Sequence, residues 1–276
     1  MLRYAEHAPP APVALYVACV WTLTGTARTP GFDLILPDGR PELVVHRGDP
    51  FRQRLRTGAT RAQPRRLIVG QMTGAVALAP GRRVESLGVR FTPAGLSPLC
   101  PFPQAQLADR LIAVDDDLAA PLLHEVAAAA AGAPTLDAAI AAVRRALVGA
   151  YSAAQPVDAR VLDAVTLLAS AAGDLPLTAL GRAVGASPRW LERRFQQAVG
   201  VSPKRLARLV RFRRALAALD ADPAAEGAAV ALDHGFYDQA HFIAEFRAFA
   251  GDAPRRFVDR RLAELTRFFV DRQATP

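Results

Sequence analysis

The 276-residue chain has few cysteines and no long apolar run, and each scarcity excludes a class of protein. Two cysteines, Cys19 and Cys100, do not make the disulfide framework of a small secreted domain and suit a reducing cytoplasm. No uncharged apolar run reaches the roughly 18 residues that a membrane-spanning helix needs. Because 51% of the residues are hydrophobic, disorder is also excluded. We therefore expect folded domains in the cytoplasm and no membrane partner.

Basic residues outnumber acidic ones, and the formal net charge of +8 favours an anionic partner. The excess is not confined to one region, because residues 1–150 hold 16 of the 34 basic and 12 of the 26 acidic groups. Each half of the chain therefore carries about +4. The local cluster of basic residues from Arg189 to Arg214 indicates the binding region better than the total does.

A first helix-turn-helix pattern lies in the C-terminal half. Apolar spacing predicts a short helix over Thr178–Val184, and Gly185 supplies the left-handed residue that ends a helix. Ser187 followed by Pro188 is typical of a helix start, so we predict a second helix over Pro188–Val199. In such a unit the second helix enters the major groove of DNA.

One face of this second helix carries the chemistry for reading bases. At 100° per residue, four polar side chains lie together opposite the apolar stripe: Arg189, Glu192, Arg193 and Gln196. Arginine pairs with guanine, glutamine suits adenine and glutamate accepts from cytosine. An ordinary solvated charged face is the alternative interpretation for this helix taken alone.

A long basic helix follows the first unit. After Gly200–Pro203, a second start signal predicts a helix over about Lys204–Leu219 that contains no acidic residue. Its basic side chains could hold phosphates while the neighbouring helix reads bases, and its length suits a rigid connection to a second unit. The basic residues are Lys204, Arg205, Arg208, Arg211, Arg213 and Arg214.

The pattern then repeats. We predict a short helix over Pro223–Asp233, a turn at Gly235 and a further helix over Tyr237–Ala250, which Gly251–Pro254 ends. Both units end in the same way. A buried aromatic residue of the second helix is followed by glycine, a small residue, proline and a basic residue, which indicates an internal structural repeat.

These residues resemble the AraC/XylS family of bacterial transcription regulators over about residues 160–258. The most specific matches are Ser187–Phe195 in the first unit and His234–Phe242 with Glu245, Phe246 and Pro254 in the second. The resemblance implies base-facing positions at Arg189, Glu192, Arg193, Gln239, Ala240, His241, Ile243 and Ala244. We expect phosphate contacts from Arg194, Lys204, Arg205, Arg208 and Arg255.

The second unit differs from the first in chemistry. Ala240, Ile243 and Ala244 can touch a thymine methyl group but form no hydrogen bonds with bases. We infer that the first unit reads sequence and that the second mainly anchors the protein. His241 with His234 and Asp238 could suggest a metal, but no cysteine lies near enough in sequence to complete a zinc set. We expect neither a metal nor another cofactor. For Trp190 and Tyr237 we expect packing or phosphate-positioning roles.

Residues 1–150 have a different pattern. Strand-forming segments are predicted at Val13–Leu23, Arg66–Val69, Ala75–Leu78 and Ser86–Phe91, with a hairpin over Leu34–His46 and a polar loop at Thr57–Pro64. Helices follow at Leu118–Ala131 and Leu136–Leu147. The predicted fold class is therefore α+β, with a β-rich barrel- or sandwich-like N-terminal domain (1–150) and an all-α domain with two helix-turn-helix units joined by a long helix (157–258). A closing helix is the expectation for the tail, 259–276.

The N-terminal pattern resembles, more loosely, the domain of unassigned role that accompanies some AraC-type proteins. The elements that carry this resemblance are Trp21, Leu36–Gly39, Glu42-Leu43 and Val89–Pro93. It implies that the domain senses a small-molecule effector or forms a homodimer, and that RNA polymerase is a candidate partner beside promoter DNA. Asp115–Asp117 has the charge for a cation but lacks the ligand spacing of a calcium loop, so we expect a helix start there.

The leading hypothesis is a sequence-specific transcription regulator, not an enzyme, that binds double-stranded DNA under control of its N-terminal domain. A DNA-targeted enzyme with its activity in the N-terminal domain is the alternative. Cys19 and Cys100 lack a neighbouring histidine or lysine in the sequence that would activate a thiol. An RNA-binding or purely structural module is a third interpretation, and neither alternative explains the doubled motif.

Overall fold

The computed structural model describes residues 1–27, 31–55, 57–114 and 120–259. A β-rich N-terminal part is followed by helices, as the α+β prediction requires. The predicted Asp115–Asp117 site and residues 260–276 of the predicted tail lie outside the described residues. The predicted boundary between the two domains falls at the short connection 154–158, between a helix that ends at Ala153 and one that begins at Ala159. The division into these domains stays a prediction.

A six-stranded antiparallel sheet forms the centre of the N-terminal part. Its strand order is β1-β2-β9-β4-β7-β10. The strands are β1 Leu2–His7, β2 Val17–Thr26, β4 Glu42–His46, β7 Arg66–Val69, β9 Arg83–Phe91 and β10 Leu111–Ala113.

A smaller antiparallel sheet lies against one face of the first, in the order β3-β8-β5-β6. Its strands are β3 Asp33–Ile35, β5 Arg52–Arg54, β6 Thr60–Ala62 and β8 Val76–Ala79. Apolar side chains such as Leu23, Val44 and Leu67 are buried on this face of the six-stranded sheet, with Leu78 of β8 packed against them. Within the described residues neither sheet closes on itself, so the sandwich-like alternative is correct and the barrel is not.

Two helices cover the opposite face of the six-stranded sheet. These are α1 Pro121–Gly132 and α2 Leu136–Ala153. Alternate residues of β4 face opposite ways, as in any strand. Leu43 and Val45 join the core beneath the helices, whereas Val44 joins the core between the sheets. Each face of this sheet is therefore covered.

The hairpin predicted over Leu34–His46 is wrong. β3 pairs with β8 in the small sheet, whereas β4 pairs with β7 and β9 in the large one. The Pro-Asp-Gly segment at 37–39 therefore passes from one sheet to the other instead of joining paired strands. The predicted polar loop at Thr57–Pro64 contains the edge strand β6, and the start predicted at Val13 belongs to a 3-10 turn over Ala11–Val13.

Seven helices follow in the described C-terminal residues. They are α3 Ala159–Ser170, α4 Leu177–Ala183, α5 Pro188–Ala198, α6 Pro203–Ala221, α7 Gly227–Asp233, α8 Gln239–Ala250 and α9 Pro254–Asp259. Helices α4, α5, α6 and α8 begin and end within two residues of the predicted bounds, whereas α7 begins four residues after the predicted start at Pro223. Asp222 and the following residues form a turn there, because the Asp222 carboxylate accepts from the N–H of Ala224.

Helix α6 takes part in two apolar cores. Leu206 and Ala207 join the core of α3, α4 and α5, whereas Leu209 and Phe212 join that of α7, α8 and α9. Because the same helix carries side chains into both cores, it sets the relative position of the two units. Leu36 of the N-terminal part also lies in the second of these cores.

Candidate DNA-binding surface

The first helix-turn-helix consists of α4, a turn and α5. Gly185 has a φ of +65°, the left-handed conformation that a turn needs and that glycine adopts without strain. Ser187 caps α5, because its side chain accepts a hydrogen bond from the N–H of Trp190 at 3.2 Å. Leu191 and Phe195 are fully buried beneath α5. These contacts fix the outward face of the helix.

That outward face carries the four polar residues of the prediction. Arg189, Arg193 and Gln196 are exposed, and Glu192 is half-buried. Because they lie on one side of a helix whose other side is buried, the structure brings them together as a surface that could enter a groove. Their roles as base-reading residues stay a prediction.

The second helix-turn-helix consists of α7, a turn and α8. Gly235 has a φ of +72° at the turn. Asp238 caps α8 by accepting from the N–H of His241 at 2.7 Å. Phe242 and Phe246 are buried and packed edge-to-face, with ring centroids 5.8 Å apart. The two units are therefore built alike, each with a side-chain cap at the start of its second helix.

The outward face of α8 is small and weakly polar. Gln239, Ala240 and Ala244 are exposed, whereas His241 and Ile243 are half-buried. Nδ1 of His241 accepts from the N–H of Tyr237 at 3.2 Å, and Nε2 lies 4.0 Å from Oε1 of Glu245. The face thus offers one amide, one imidazole and otherwise apolar groups, as the sequence indicated.

The residues predicted to contact phosphates divide into two groups. Lys204 and Arg255 are exposed. Arg194 is half-buried, its Nη1 donates to Oε1 of Gln197 at 3.0 Å and its guanidinium lies 5.6 Å from the ring centre of Trp190. These three lie on the surface of the units or at its edge.

Arg205 and Arg208 are also half-buried but form contacts within the protein. Nη2 of Arg205 donates to the carbonyl of Thr73 at 2.7 Å, and its guanidinium lies 4.7 Å from the ring centre of Phe249. Burial, followed by the nearby charge of Arg208, lowers the pKa of Arg205. Arg208 forms a fork with Glu245, with both N–O distances at 2.6 Å. We therefore assign these two arginines first to internal contacts.

One further residue lies beside this surface that the sequence did not single out as a DNA contact. Arg160 lies 4.0 Å above the ring of Trp190 and is held there by a fork to Asp158 at 3.0 and 2.8 Å. The available signal was the position of Asp158 as a helix cap two residues before a basic residue. Tyr237 is 91% exposed beside the start of α8, so the packing role considered for it is excluded.

A second candidate site is a cavity of about 90 Å³ between the two sheets, which we call the inter-sheet cavity. Trp21 and Phe51 contribute aromatic walls. His46 shares hydrogen bonds with Ser86 and Gln63, each at 3.0 Å, and burial lowers its pKa to about 4. The cavity is therefore neutral at this end at physiological pH.

The opposite end of the inter-sheet cavity is charged. Arg90 is almost fully buried and lies 2.8 Å from Glu42, 3.2 Å from Glu6 and 3.6 Å from Asp38. Burial raises the pKa of Glu42, and the charge of Arg90 counteracts this. A buried guanidinium is strongly destabilising without carboxylate partners, and these three carboxylates supply them. Asp38 belongs to the segment that connects the sheets and approaches α6.

The two cysteines do not have the surroundings of reactive thiols. Burial raises the pKa of Cys19 to about 12 and that of Cys100 to about 12. A thiolate is the nucleophilic form, so neither residue is activated at neutral pH. Within the described residues no group of three or more histidine, cysteine, aspartate or glutamate side chains could hold a metal ion. None of the described helices is long and apolar enough to cross a membrane.

Two parts of the chain match known protein families. Residues 180–260 match the family described as "Helix-turn-helix domain". This is an AraC-type helix-turn-helix domain. Residues 5–113 match a family described as "Domain of unknown function (DUF6597)". The AraC-type domain makes the chain a DNA-binding protein of the transcription-regulator type, as predicted from the doubled motif.

Solved structures with similar architecture are more distant. ToxT from Vibrio cholerae has a TM-score of 0.47 and 9% identity over 86% of this chain and 98% of its own. A form of ToxT bound to an unsaturated fatty acid has a TM-score of 0.44 and 10% identity over 86% of this chain and 94% of its own. The AraC-like transcriptional activator CuxR has a TM-score of 0.22 and 12% identity, over 79% and 86%. No curated protein matches the chain. The assignment of the AraC-type domain depends on the family match, not on these likenesses.

Proposed function

We propose that the protein is a sequence-specific transcription regulator that reads double-stranded DNA mainly with α5 and anchors itself with α8. One observation carries the proposal, namely two capped second helices that share the connecting helix α6. At about 1.5 Å per residue, the 19 residues of α6 span about 28 Å. Two units on such a rigid connection suit successive major grooves, which lie about 34 Å apart.

The chemistry of the two faces supports unequal roles. The α5 face presents two exposed guanidiniums and an exposed amide, from Arg189, Arg193 and Gln196. The α8 face has small or apolar groups at Ala240, Ile243 and Ala244, which form no hydrogen bonds with bases. Lys204, Arg194 and Arg255 are the proposed phosphate contacts, together with Arg160. We assign Arg205 and Arg208 to holding the units in place.

Control by the N-terminal domain is the second part of the proposal. The carbonyl of Thr73 accepts from Arg205 of α6, and Leu36 packs against Leu209 and Phe212 of the same helix. The helix that connects the two DNA-binding units is therefore also one of the helices that the N-terminal part touches. A change in the N-terminal domain would reach both units through α6.

Selection from a randomised duplex library with the full-length protein tests the first part. Fluorescence anisotropy then compares the selected duplex with its shuffled version over a salt series. We expect preference for the selected duplex by about 1,000-fold or more and a steep salt dependence. Equal binding to both duplexes at every salt concentration would contradict sequence-specific reading.

The same selected duplex tests the unequal roles of α5 and α8. Footprinting of the complex assigns one half of the site to each unit. Scrambling the half that α5 covers should cost several times more affinity than scrambling the half under α8. Equal costs would show that α8 also reads sequence and would contradict the assignment.

A further inference from the structure

Both polar side chains on the outward face of α8 have contacts within the second unit. The amide of Gln239 lies against α7, because a Cβ atom at Gly227 would be only 2.9 Å from Nε2 of Gln239. Nδ1 of His241 accepts from the N–H of Tyr237, and its Nε2 lies 4.0 Å from Oε1 of Glu245. The groups that could form hydrogen bonds with bases are therefore turned towards the unit itself.

The same face of α8 presents methyl groups to the outside. Ala240 and Ala244 are exposed, and Ile243 is half-buried and packed against the apolar core of the second unit. Residues at these spacings, i, i+3 and i+4, are neighbours on one face of a helix. The three side chains therefore form one apolar surface on the DNA-binding helix, which we call the methyl face.

The methyl face is held in a fixed position. Asp238 caps the start of α8, and Phe242 and Phe246 are buried on the other side of the helix. The fork between Glu245 and Arg208 joins α8 to the connecting helix. Alanine side chains have no rotamer freedom to lose on binding. A surface that is fixed in this way can meet a partner of matching shape at little entropic cost.

The major groove of DNA offers one apolar group to such a surface. This group is the C5-methyl of thymine, whereas the other three bases present only hydrogen-bond donors and acceptors there. An apolar side chain removes a thymine methyl group from water but leaves a donor or acceptor of another base without a partner. The methyl face therefore favours thymine and disfavours the alternatives by the same contact.

The length of the methyl face limits how many base pairs it covers. From Ala240 to Ala244 the helix advances about 6 Å, at about 1.5 Å per residue. Successive base pairs lie about 3.4 Å apart. The methyl face therefore extends over about two base-pair steps, so the contacted methyl groups should lie on adjacent base pairs.

We propose that α8 reads the C5-methyl groups of pyrimidines through the methyl face, and not a pattern of hydrogen bonds. This inference rests on the proposed function, because it names what the anchoring helix recognises in its half of the DNA site. 5-Methylcytosine carries the same methyl group at the same ring position. It should therefore replace thymine at a contacted position better than cytosine does.

Replacement of thymine by uracil tests the inference on the selected duplex, because uracil lacks only the methyl group. Thymines in the half that α8 covers are replaced one at a time, and binding of the full-length protein is measured by fluorescence anisotropy. We expect about fourfold lower affinity for each contacted methyl group that returns to water. A selected half-site without thymine on either strand, or no loss of affinity with uracil at any position, would overturn the inference.

Three variants assign the effect to the methyl face, namely Ala240→Gly, Ile243→Ala and Ala244→Gly. Each change also affects the helix itself, but that effect is the same for the thymine and uracil duplexes and cancels in their affinity ratio. The ratio should fall from about fourfold towards one in at least one variant. Ala229→Gly, at an exposed position of α7, is the matched control and should keep the ratio. An unchanged ratio in all three variants, or an equal fall in the control, would overturn the assignment.

Gln239→Ala separates methyl contacts from hydrogen bonding. Because the amide of Gln239 packs against Gly227, its removal should leave the preference between thymine and uracil duplexes unchanged. It should also leave the preference for the selected half-site under α8 unchanged. Loss of that preference in Gln239→Ala, together with tolerance of uracil, would show that the amide reads the bases and would contradict the inference.

Cytosine and 5-methylcytosine provide a second comparison at a position where uracil lowers the affinity. Both bases pair with guanine and present the same donors and acceptors, so only the methyl group distinguishes the two duplexes. The methylated duplex should bind about fourfold more tightly. Equal affinity for the two duplexes would overturn recognition of the methyl group.

Failure of the proposed function would appear before any modified base is used, as equal binding of the selected and shuffled duplexes. A protein that prefers the selected duplex but tolerates uracil at every position under α8 would keep the proposed function. That result would overturn only the role of the methyl face.

Discussion

Arg208 of α6 and Glu245 of α8 form a two-pronged ion pair, with Nε to Oε2 and Nη2 to Oε1 both at 2.6 Å. Only 12% of the Glu245 side chain and 27% of the Arg208 side chain are exposed. Such a fork fixes orientation as well as distance, because both planar groups must align. It therefore sets the angle at which the second unit leaves the connecting helix.

Replacement of Glu245 by glutamine should destabilise the second unit. The amide keeps the shape of the carboxylate but leaves the guanidinium of Arg208 without its counter-charge. We expect the free energy of unfolding to fall by about 2 kcal/mol, as for a lost hydrogen bond to a charged group. Chemical denaturation followed by circular dichroism measures this change. Glu226→Gln, the same substitution at an exposed position, is the control and should change stability by no more than a few tenths of a kcal/mol.

Arg193→Ala and Lys204→Ala should weaken DNA binding in different ways. The first removes a proposed base contact and should cost about 1–3 kcal/mol on the selected duplex, with relaxed preference at one base pair. The second removes a proposed phosphate contact and should weaken binding equally for all sequences. Anisotropy with selected and shuffled duplexes distinguishes them, with Arg3→Ala in the first strand as a control. An equal loss from Arg193→Ala on both duplexes would show that Arg193 does not read bases.

The two thiols should be nearly unreactive in the folded protein. With a pKa of about 12, the thiolate is roughly 10⁻⁴ of the total at pH 8, whereas an ordinary thiol is at least about a tenth ionised. Cys19 and Cys100 should react with a disulfide reagent several hundredfold more slowly in buffer than in denaturant. Rapid labelling of either cysteine in the folded state would revive the enzyme alternative.

Stability should fall in acid because His46 is buried in its neutral form. Burial lowers its pKa to about 4, so between about pH 6.5 and 4 the unfolded chain binds a proton that the folded chain does not. The contribution is complete above pH 6.5 and is lost as the pH falls towards 4, by up to about 3 kcal/mol. Denaturation curves from pH 7.5 to 4 measure it. His46→Gln should flatten this dependence, and an unchanged slope in the variant would assign it to other groups.

Much of the helical half could be predicted, because its signals are local. Ser187 and Pro188 start α5 at the predicted residue, and Gly185 adopts the left-handed conformation that the pattern required. A cap and its helix lie within four residues of one another, so the sequence contains both partners. The exposed face of α5 follows from the same periodicity.

The N-terminal half shows why the rest could not be predicted. The Pro-Asp-Gly segment at 37–39 has the composition of a hairpin turn, yet its flanking strands pair with β8, β7 and β9. Strand pairing depends on partners that are distant in sequence and on which face is covered. Short strands such as β6 bury no residue and leave no alternating pattern.

The sequence by itself determined the two helix-turn-helix units, the helix starts and the chemistry of the faces that α5 and α8 present, because each depends on residues within one or two turns. Only the tertiary structure decided which basic residues of α6 face outward. Arg205 and Arg208 resemble Lys204 in the sequence, but their partners are Thr73, 132 residues away, and Glu245, 37 residues away. A hydrogen-bond partner so distant in the chain is placed by packing, and packing also placed Leu36 against the connecting helix.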